Sequence, residues 1–553
     1  MIKKKFNKST LLILLFISIS LFAFKANYDR YFEIQKNLDI FTTLFKEVNR
    51  AYVDEVNPNT LMKTGIDAML NSLDPYTNYI PEDEIEDYRT LTTGQYGGIG
   101  ALVGNRNGKT VIIMPYEGFP AQEAGLRIGD EILKIDGITL NGKNNDEVSK
   151  LLKGQANTKV RLEIKSFGDT ASREVVLTRE NIKLDDVPYY GMVSSEIGYL
   201  KLTDFRSGAA REVTNAITEM KGKGAKKIIL DLRDNPGGLL SEAVNISNLF
   251  INKDLEVVST KGKSEEWNKT YKALNSPLDA EIPVVVLTNN RSASASEIVS
   301  GVIQDYDRGL LVGQKTFGKG LVQATHPLSY NSQLKVTTAK YYIPSGRCIQ
   351  ALDYSHRNAD GSVDKIADSL KTAFRTKNGR TVYDGAGVDP DLFVEPNTLS
   401  SITRSLLNKS LIFDYASVYF HKHEKIAPAK EFKLSDAEYQ AFVQWLQGKE
   451  YDYTTQVEES ILQVEQKAKE EKYYNNIKSQ LDALKVKVSH NKDSDLQNFK
   501  DEIKAQLEEE IVSRYYYERG KTEVSFNHDP ELKAAIELLQ DTNRYNKILK
   551  GLK

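Results

Sequence analysis

Hydrophobic positions along this chain change their period from segment to segment. An unbroken apolar run, Leu11 to Phe24, follows a basic start at Lys3, Lys4, Lys5 and Lys8. From Tyr28 to about Arg89 apolar residues recur at helical spacing, at Phe41, Leu44, Phe45 and Val48 and again at Leu61, Ile66, Met69 and Leu70. Leu73-Asp74-Pro75-Tyr76 reads as a turn. From about Tyr96 to Ile182 the runs shorten and glycines punctuate them, which predicts strands over 101–103, 110–114 and 159–164 and helices from Pro120 to Gly125 and over 145–152. From about Ile182 to Pro396 buried-type strands alternate with amphipathic helices. Strands are predicted at 197–202, 227–232, 284–287, 309–312, 334–342 and 392–394, and helices at 209–221, 239–250 and from Glu297. Beyond about Thr398 the pattern is helical and highly charged, clearest over 457–468 and 532–549, without sustained heptads.

These shifts predict a multidomain α/β protein. Its segments are a targeting segment (1–26), an N-terminal helical region (28–95), a β-rich domain with two helices (96–182), an α/β core (183–397) with a polar insertion at about 352–380, and a C-terminal helical extension (398–553). A length of 553 residues fits roughly three to four domains. A formal net charge of −2 gives no reason to expect nucleic acid. The single cysteine, Cys348, excludes an intramolecular disulfide and a cysteine-rich metal site. His421 and His423 would diverge on a helix and share a face on a strand; surface histidine pairs are usually solvated and no HExxH pair is present, so no metal is expected. The N-terminal run has the length of a signal-peptide core and is short for a membrane span. Lys25 spoils the cleavage site, so export with either a cleaved signal or a retained anchor is expected, the basic end staying in the cytoplasm.

The chemistry concentrates between Val284 and Gln323. Small residues alternate at Ser292-Ala293-Ser294-Ala295-Ser296 between a strand and a helix, and a lysine follows between glycines, Gly318-Lys319-Gly320. A serine hydroxyl is a weak nucleophile and needs a base, an oxyanion site and a group that orients the base. Lysine serves as base only when neutral, and burial lowers its pKa. Phe317, Leu321 and Val322 are expected to supply a dry pocket, and the Gln323 amide oxygen to accept from the lysine amine. Upstream, Arg233-Asp234-Asn235-Pro236-Gly237-Gly238 joins a buried strand to a helix: in isolation a plain connection, but ahead of a serine and a lysine a place where backbone N–H groups can hold an oxyanion. Physics alone does not choose among Ser292, Ser294 and Ser296, and Ser294 also reads as a helix N-cap with Glu297 completing a capping box. A Ser-His-Asp enzyme would have to use His326, and no G-x-S-x-G elbow frames a serine.

Two resemblances sharpen this reading. The run Ala124-Gly125-Leu126-Arg127-Ile128-Gly129-Asp130-Glu131-Ile132-Leu133-Lys134-Ile135-Asp136-Gly137 resembles a PDZ domain, which implies that Gly98, Ile99 and Gly100 line a loop for a peptide carboxylate while the peptide adds as a strand. The segments Ser292-Ala293-Ser294-Ala295-Ser296-Glu297-Ile298 and Thr316-Phe317-Gly318-Lys319-Gly320 resemble those of the C-terminal processing peptidases, or tail-specific proteases, over about residues 35 to 396. That resemblance implies a crotonase-like core, Ser294 as nucleophile, Lys319 as base 25 residues further on, and Gln323 as its orienting partner. It implies oxyanion donors at Ala295 and at Gly238 or Gly237, with Gly238 preferred.

The expected function is an exported serine endopeptidase of a bacterial cell envelope, periplasmic or anchored to the inner membrane by residues 10–24. It would recognise the free C-terminus of protein or peptide substrates and need no cofactor. A homo-oligomer and membrane contact through the N-terminal segment stay open. The alternative is a catalytically silent scaffold that binds C-terminal tails through its PDZ domain; the joint presence of Ser294 and Lys319 favours the enzyme.

Overall fold

The computed structural model describes residues 31–358, 360–488 and 492–552. The described residues separate into two compact units, divided between Tyr79 and Ile80. In the first, helices span 31–51 and Pro58–Asn71. Asn57 caps the second, its side chain accepting from the N–H groups of Asn59 and Thr60. The predicted turn follows, with the Asp74 carboxylate accepting from the N–H of Tyr76 at 2.8 Å and of Thr77 at 2.9 Å. Among the described residues no helix is long and apolar enough to cross a membrane. The targeting segment 1–26 lies outside them.

The centre of the second unit is a six-stranded sheet whose spatial order follows the chain: β1 (Tyr189–Met192), β2 (Ile197–Lys201), β3 (Lys227–Asp231), β4 (Val284–Thr288), β5 (Leu310–Gly313) and β6 (Leu392–Phe393). β1 and β2 are antiparallel, and every later pair is parallel. The crossovers carry α1 (Ala209–Gly222), α2 (Leu240–Asn248) and α3 (Ala295–Asp305). Parallel crossovers turn right-handed. With strands laid down in one direction, all three helices therefore fall on the same face. There they pack on Leu200, Ile228, Leu230, Val284, Val286 and Leu311.

A parallel sheet must be covered on both faces. Alternation along each strand turns Tyr199, Ile229, Val285, Leu287, Leu310 and Val312 to the other side. Their cover comes from the far end of the chain, α4 (Pro530–Gln540) and α5 (Thr542–Leu549), through Leu532, Ala535, Leu538, Leu539 and Tyr545. The Tyr545 hydroxyl reaches the backbone of Val284, donating to its carbonyl at 3.0 Å. The periodicity over 532–549 is thus two helices of the core sheet, broken at Asp541.

A second sheet pairs Glu256–Gly262, Lys269–Lys272, Leu321–Pro327 and Gln333–Tyr342. The β-rich domain is an antiparallel sheet of Ala101–Arg106, Lys109–Pro115, Glu131–Ile135, Lys159–Lys165 and Arg173–Thr178, closed by the helix Asn145–Leu152 and a pair formed by Gln95–Gly98 and Glu180–Lys183. Helices between Ser401 and Ser525 build a separate core around Ile412, Tyr439, Phe442, Leu507 and Ile511. The β-rich domain rests on them: Val111, Met114 and Ile128 cluster with Phe413, and Arg127 lies over the Phe420 ring.

Candidate active site

The glycine turn and the serine turn form one unit. Asn235 is fully buried and holds both. Its side-chain nitrogen donates to the Leu202 carbonyl at 2.7 Å, and its side-chain oxygen accepts from Gly237 N–H at 2.8 Å. Its own carbonyl accepts from Ala293 N–H at 3.0 Å and from the Ser296 hydroxyl at 2.9 Å. Gly237 has φ +98°, and a β-carbon there would sit 2.7 Å from the Ala293 carbonyl oxygen, 2.8 Å from the Ala295 nitrogen and 2.9 Å from Ser294 Cβ. Only glycine fits so close an approach. Gly238 follows at φ +149°, where a β-carbon would meet the Phe205 carbonyl oxygen at 2.5 Å.

The three serines have different surroundings. Ser292 is buried and donates its hydroxyl to the Leu232 carbonyl at 2.7 Å; Ser296 is buried and donates to Asn235. Both tie strand ends together. Ser294 alone among the three is partly exposed. It stands at the N-cap of α3, as the capping-box pattern predicts, but with φ +56° and ψ −112°. An ordinary N-cap is extended. A non-glycine residue held at positive φ stores roughly 1–3 kcal/mol and persists where its surroundings over-determine it.

Glu297 explains how that backbone is held. Fully buried, it accepts from Ser294 N–H at 2.8 Å, the Thr316 hydroxyl at 2.6 Å, Gly318 N–H at 2.7 Å and Lys319 N–H at 2.9 Å. Burial pushes its carboxyl up to about 7 against the pull of these four donors. One carboxylate thus fixes the serine turn and the lysine loop to each other. The glycines flanking Lys319 are also sterically required: a β-carbon on Gly318 would meet Ala351 Cβ at 2.4 Å, and on Gly320 the Gln350 nitrogen at 2.8 Å. Gln323 donates its side-chain N–H to Thr337 Oγ1 at 3.1 Å, which orients the amide. The Tyr341 hydroxyl donates to the Ser294 carbonyl at 3.1 Å.

One expectation is corrected. Of the three apolar residues expected to dry the lysine, Leu321 is buried and Val322 packs on the core, but Phe317 is 47% exposed. Its N–H is drawn to the Ser292 carbonyl at 3.0 Å, which fixes the loop backbone with the ring outward. His326 is exposed and meets the edge of Trp267. His421 stacks on Phe167 and His423 on Tyr419. Among the described residues no group of three or more His, Cys, Asp or Glu is placed to hold a metal.

In the β-rich domain, Gly98 ends its strand, Ile99 is buried and Gly100 has φ +71°. The Ile99 and Gly100 carbonyls accept from Ala121 and Tyr116 N–H at 2.8 and 2.9 Å and so face into the domain. A β-carbon on Gly100 would meet Phe119 Cβ at 2.3 Å.

Sequence reasoning read Glu297 only as a cap. It also missed Asn235 as the hub of both turns, because the partners lie up to 61 residues away.

The strained serine turn and the glycine turn lie within a segment that matches a serine peptidase family, and the β-rich domain overlaps a match to a PDZ domain: the class is a PDZ-containing serine peptidase. Residues 196–354 match the model of Peptidase family S41, residues 111–166 that of a PDZ domain, and residues 402–539 that of a probable PDZ-protease C-terminal helical domain. The chain is 38% identical over 321 residues to a carboxy-terminal-processing protease of Bartonella bacilliformis, covering 57% of this chain and 73% of that protein. It is 36% identical over 318 residues to a probable CtpA-like serine protease of Staphylococcus aureus, covering 57% of this chain and 63% of that one. Among solved structures it is similar to the photosystem II D1 C-terminal processing protease, at 27% identity and a TM-score of 0.35 over 65% of this chain and 93% of that one. It is also similar to the PDZ domain of a carboxy-terminal protease from Vibrio cholerae in complex with peptide, at 30% identity and a TM-score of 0.16 over 16% of this chain and 99% of that one. The chain belongs to the carboxy-terminal-processing protease family, and it is a serine peptidase.

Proposed function

We propose that the protein is an exported endopeptidase of the bacterial envelope that binds the free C-terminus of a protein or peptide and cuts the chain with a Ser294–Lys319 dyad. The observation that carries this reading is the shared Glu297 carboxylate, which joins the backbone of a strained, partly exposed serine to that of a glycine-boxed lysine. Ser294 Oγ attacks the scissile carbonyl carbon while its proton passes to neutral Lys319 Nζ. The C–N bond breaks as Lys319 returns the proton to the leaving amine. Water, deprotonated by Lys319, then hydrolyses the acyl-enzyme. Gln323 orients Lys319. Ala295 and Gly238 N–H groups hold the oxyanion. Gly238 is favoured over Gly237 because Gly237 N–H already donates to Asn235. Gly98, Ile99 and Gly100 present backbone N–H groups to the substrate carboxylate, supported by the inward direction of the Ile99 and Gly100 carbonyls. The basic, apolar N-terminus supports export.

Ser294→Ala and Lys319→Ala variants test the dyad on an unfolded protein substrate. Loss of cleavage in both, with folding and tail-peptide binding intact, is the expected result. Wild-type cleavage by either variant rejects it.

A further inference from the structure

The oxyanion turn is gripped from two sides, and the second side is remote. Near Ser294 it is held by Asn235 and by Asn289, whose side chain exchanges two 3.0 Å hydrogen bonds with Asp234. The other grip is on Arg233, the first residue of the turn. Its guanidinium bonds Asp231 below, with Nη2 at 2.6 Å from Oδ2. It then reaches the head of α4. Nη1 and Nη2 donate to the two Asp529 oxygens at 3.0 and 2.7 Å, and Nη1 also donates to Glu531. Arg233, Asp529 and Glu531 are nearly buried, with side chains 14, 12 and 12% exposed. Glu531 also accepts from the Gln314 side chain at 2.6 Å, just beyond β5. Asp529 is itself fixed as the N-cap of α4, accepting from Leu532 N–H at 2.8 Å. The turn they hold contains Asp234 at φ +62° besides the two glycines at positive φ. Such a backbone keeps its shape only when it is over-determined from outside. A bidentate guanidinium–carboxylate pair fixes direction as well as distance.

We propose that Asp529 and Glu531 are positioning residues for catalysis: from the head of α4 they hold Arg233, and through it the turn that carries the oxyanion donors. The C-terminal helices are then part of the catalytic apparatus as well as cover for the sheet. This rests on the reading of Ser294 and Gly238 given above.

The test uses the full chain with Asp529→Asn and Glu531→Gln, singly and together. Asn keeps the N-cap. Glu537→Gln, exposed on the same helix, is the control. A fluorophosphonate probe reports the turn directly: Ser294 Oγ displaces fluoride from phosphorus through a five-coordinate centre, leaving a tetrahedral phosphonyl adduct whose oxygen sits in the oxyanion site. Tail-peptide affinity and melting temperature report the PDZ domain and the fold. Full removal of an oxyanion donor costs roughly 10²–10³ in rate. A loosened turn keeps part of that, so the double variant is expected to label and cleave roughly tenfold more slowly, with kcat reduced, KM unchanged and tail binding unaltered. Arg233→Lys, which keeps the charge but not the fork, is expected to behave likewise. Wild-type labelling by the double variant, with labelling abolished in Ser294→Ala, overturns the clamp alone. Labelling that survives in Ser294→Ala overturns the reading of Ser294 and the clamp with it. If the double variant does not fold, Glu531→Gln, with Asp529 and its cap intact, decides by the same criterion.

Discussion

Ser294 and Lys319 donate their backbone N–H groups to the same oxygen of Glu297, at 2.8 and 2.9 Å. The other oxygen takes the Thr316 hydroxyl and Gly318 N–H. A glutamine has only one oxygen and would turn an NH2 group toward one of these donor pairs. Glu297→Gln is expected to cost about 1–3 kcal/mol of stability, the penalty for buried polar groups left unpaired. It should also lower kcat far more than tail-peptide affinity. Urea unfolding and single-turnover cleavage measure the two effects.

Glu297 also sets a pH dependence. Its carboxyl is raised by burial to about 7 from an ordinary value of 4.5. Between these values the folded protein holds a proton that the unfolded chain has released. Stability from this group therefore falls as pH rises from about 4.5 to about 7. Its four donors match the ionised carboxylate, so cleavage should rise through the same upper limit. Urea midpoints for wild type and Glu297→Gln across pH 5 to 8 check the sign: the wild type should lose its advantage toward the alkaline end.

At Gly237 the site leaves no room for a side chain. In Gly237→Ala the new β-carbon would press on Ala293, Ser294 and Ala295 at 2.7 to 2.9 Å with φ at +98°. A loss of roughly 10²–10³ in kcat is expected, comparable to removing an oxyanion donor. Binding of a tail peptide, measured by fluorescence anisotropy, should not change.

The loop proposed to hold the substrate carboxylate answers to a different variant. Gly100→Ala adds strain at φ +71° and a 2.3 Å contact with Phe119 Cβ. Tail-peptide affinity should fall at least about tenfold, roughly 1.4 kcal/mol. Fluorophosphonate labelling of Ser294 should continue at the wild-type rate.

Leu538 on α4 is fully buried against the core sheet. Leu538→Ala should destabilise the protein by about 2–5 kcal/mol, the range for a buried leucine emptied to alanine. Thermal unfolding read by both near- and far-ultraviolet circular dichroism measures it. The peptidase core should unfold with α4, because α4 supplies Leu532, Ala535, Leu538 and Leu539 to the cover of its second sheet face.

Local pattern alone determined much of this protein. The buried runs Lys227–Asp231 and Val284–Thr288 form core strands because they are apolar on both faces. The helix Asn145–Leu152 begins where Asn144 caps it. The Ser-Ala-Ser-Ala-Ser-Glu run falls at a strand-to-helix turn because small residues permit its backbone. Each of these depends on neighbours within a few residues, so period and capping reveal it. The polar strand Lys269–Lys272 was not legible, since its place comes from pairing with Glu256–Gly262 and not from its own composition. Sequence physics also left three serines equal. Tertiary structure separated them by directing the hydroxyls of Ser292 and Ser296 to carbonyls 60 and 61 residues away and leaving Ser294 partly open. Packing likewise decided that Glu297 bridges serine and lysine loops, and that Asp529 reaches Arg233 across 296 residues. Such contacts carry no periodicity. They exist because a sheet built by one-handed crossovers leaves a bare face, and the chain end that fills it brings its own charges to the turn beside the serine.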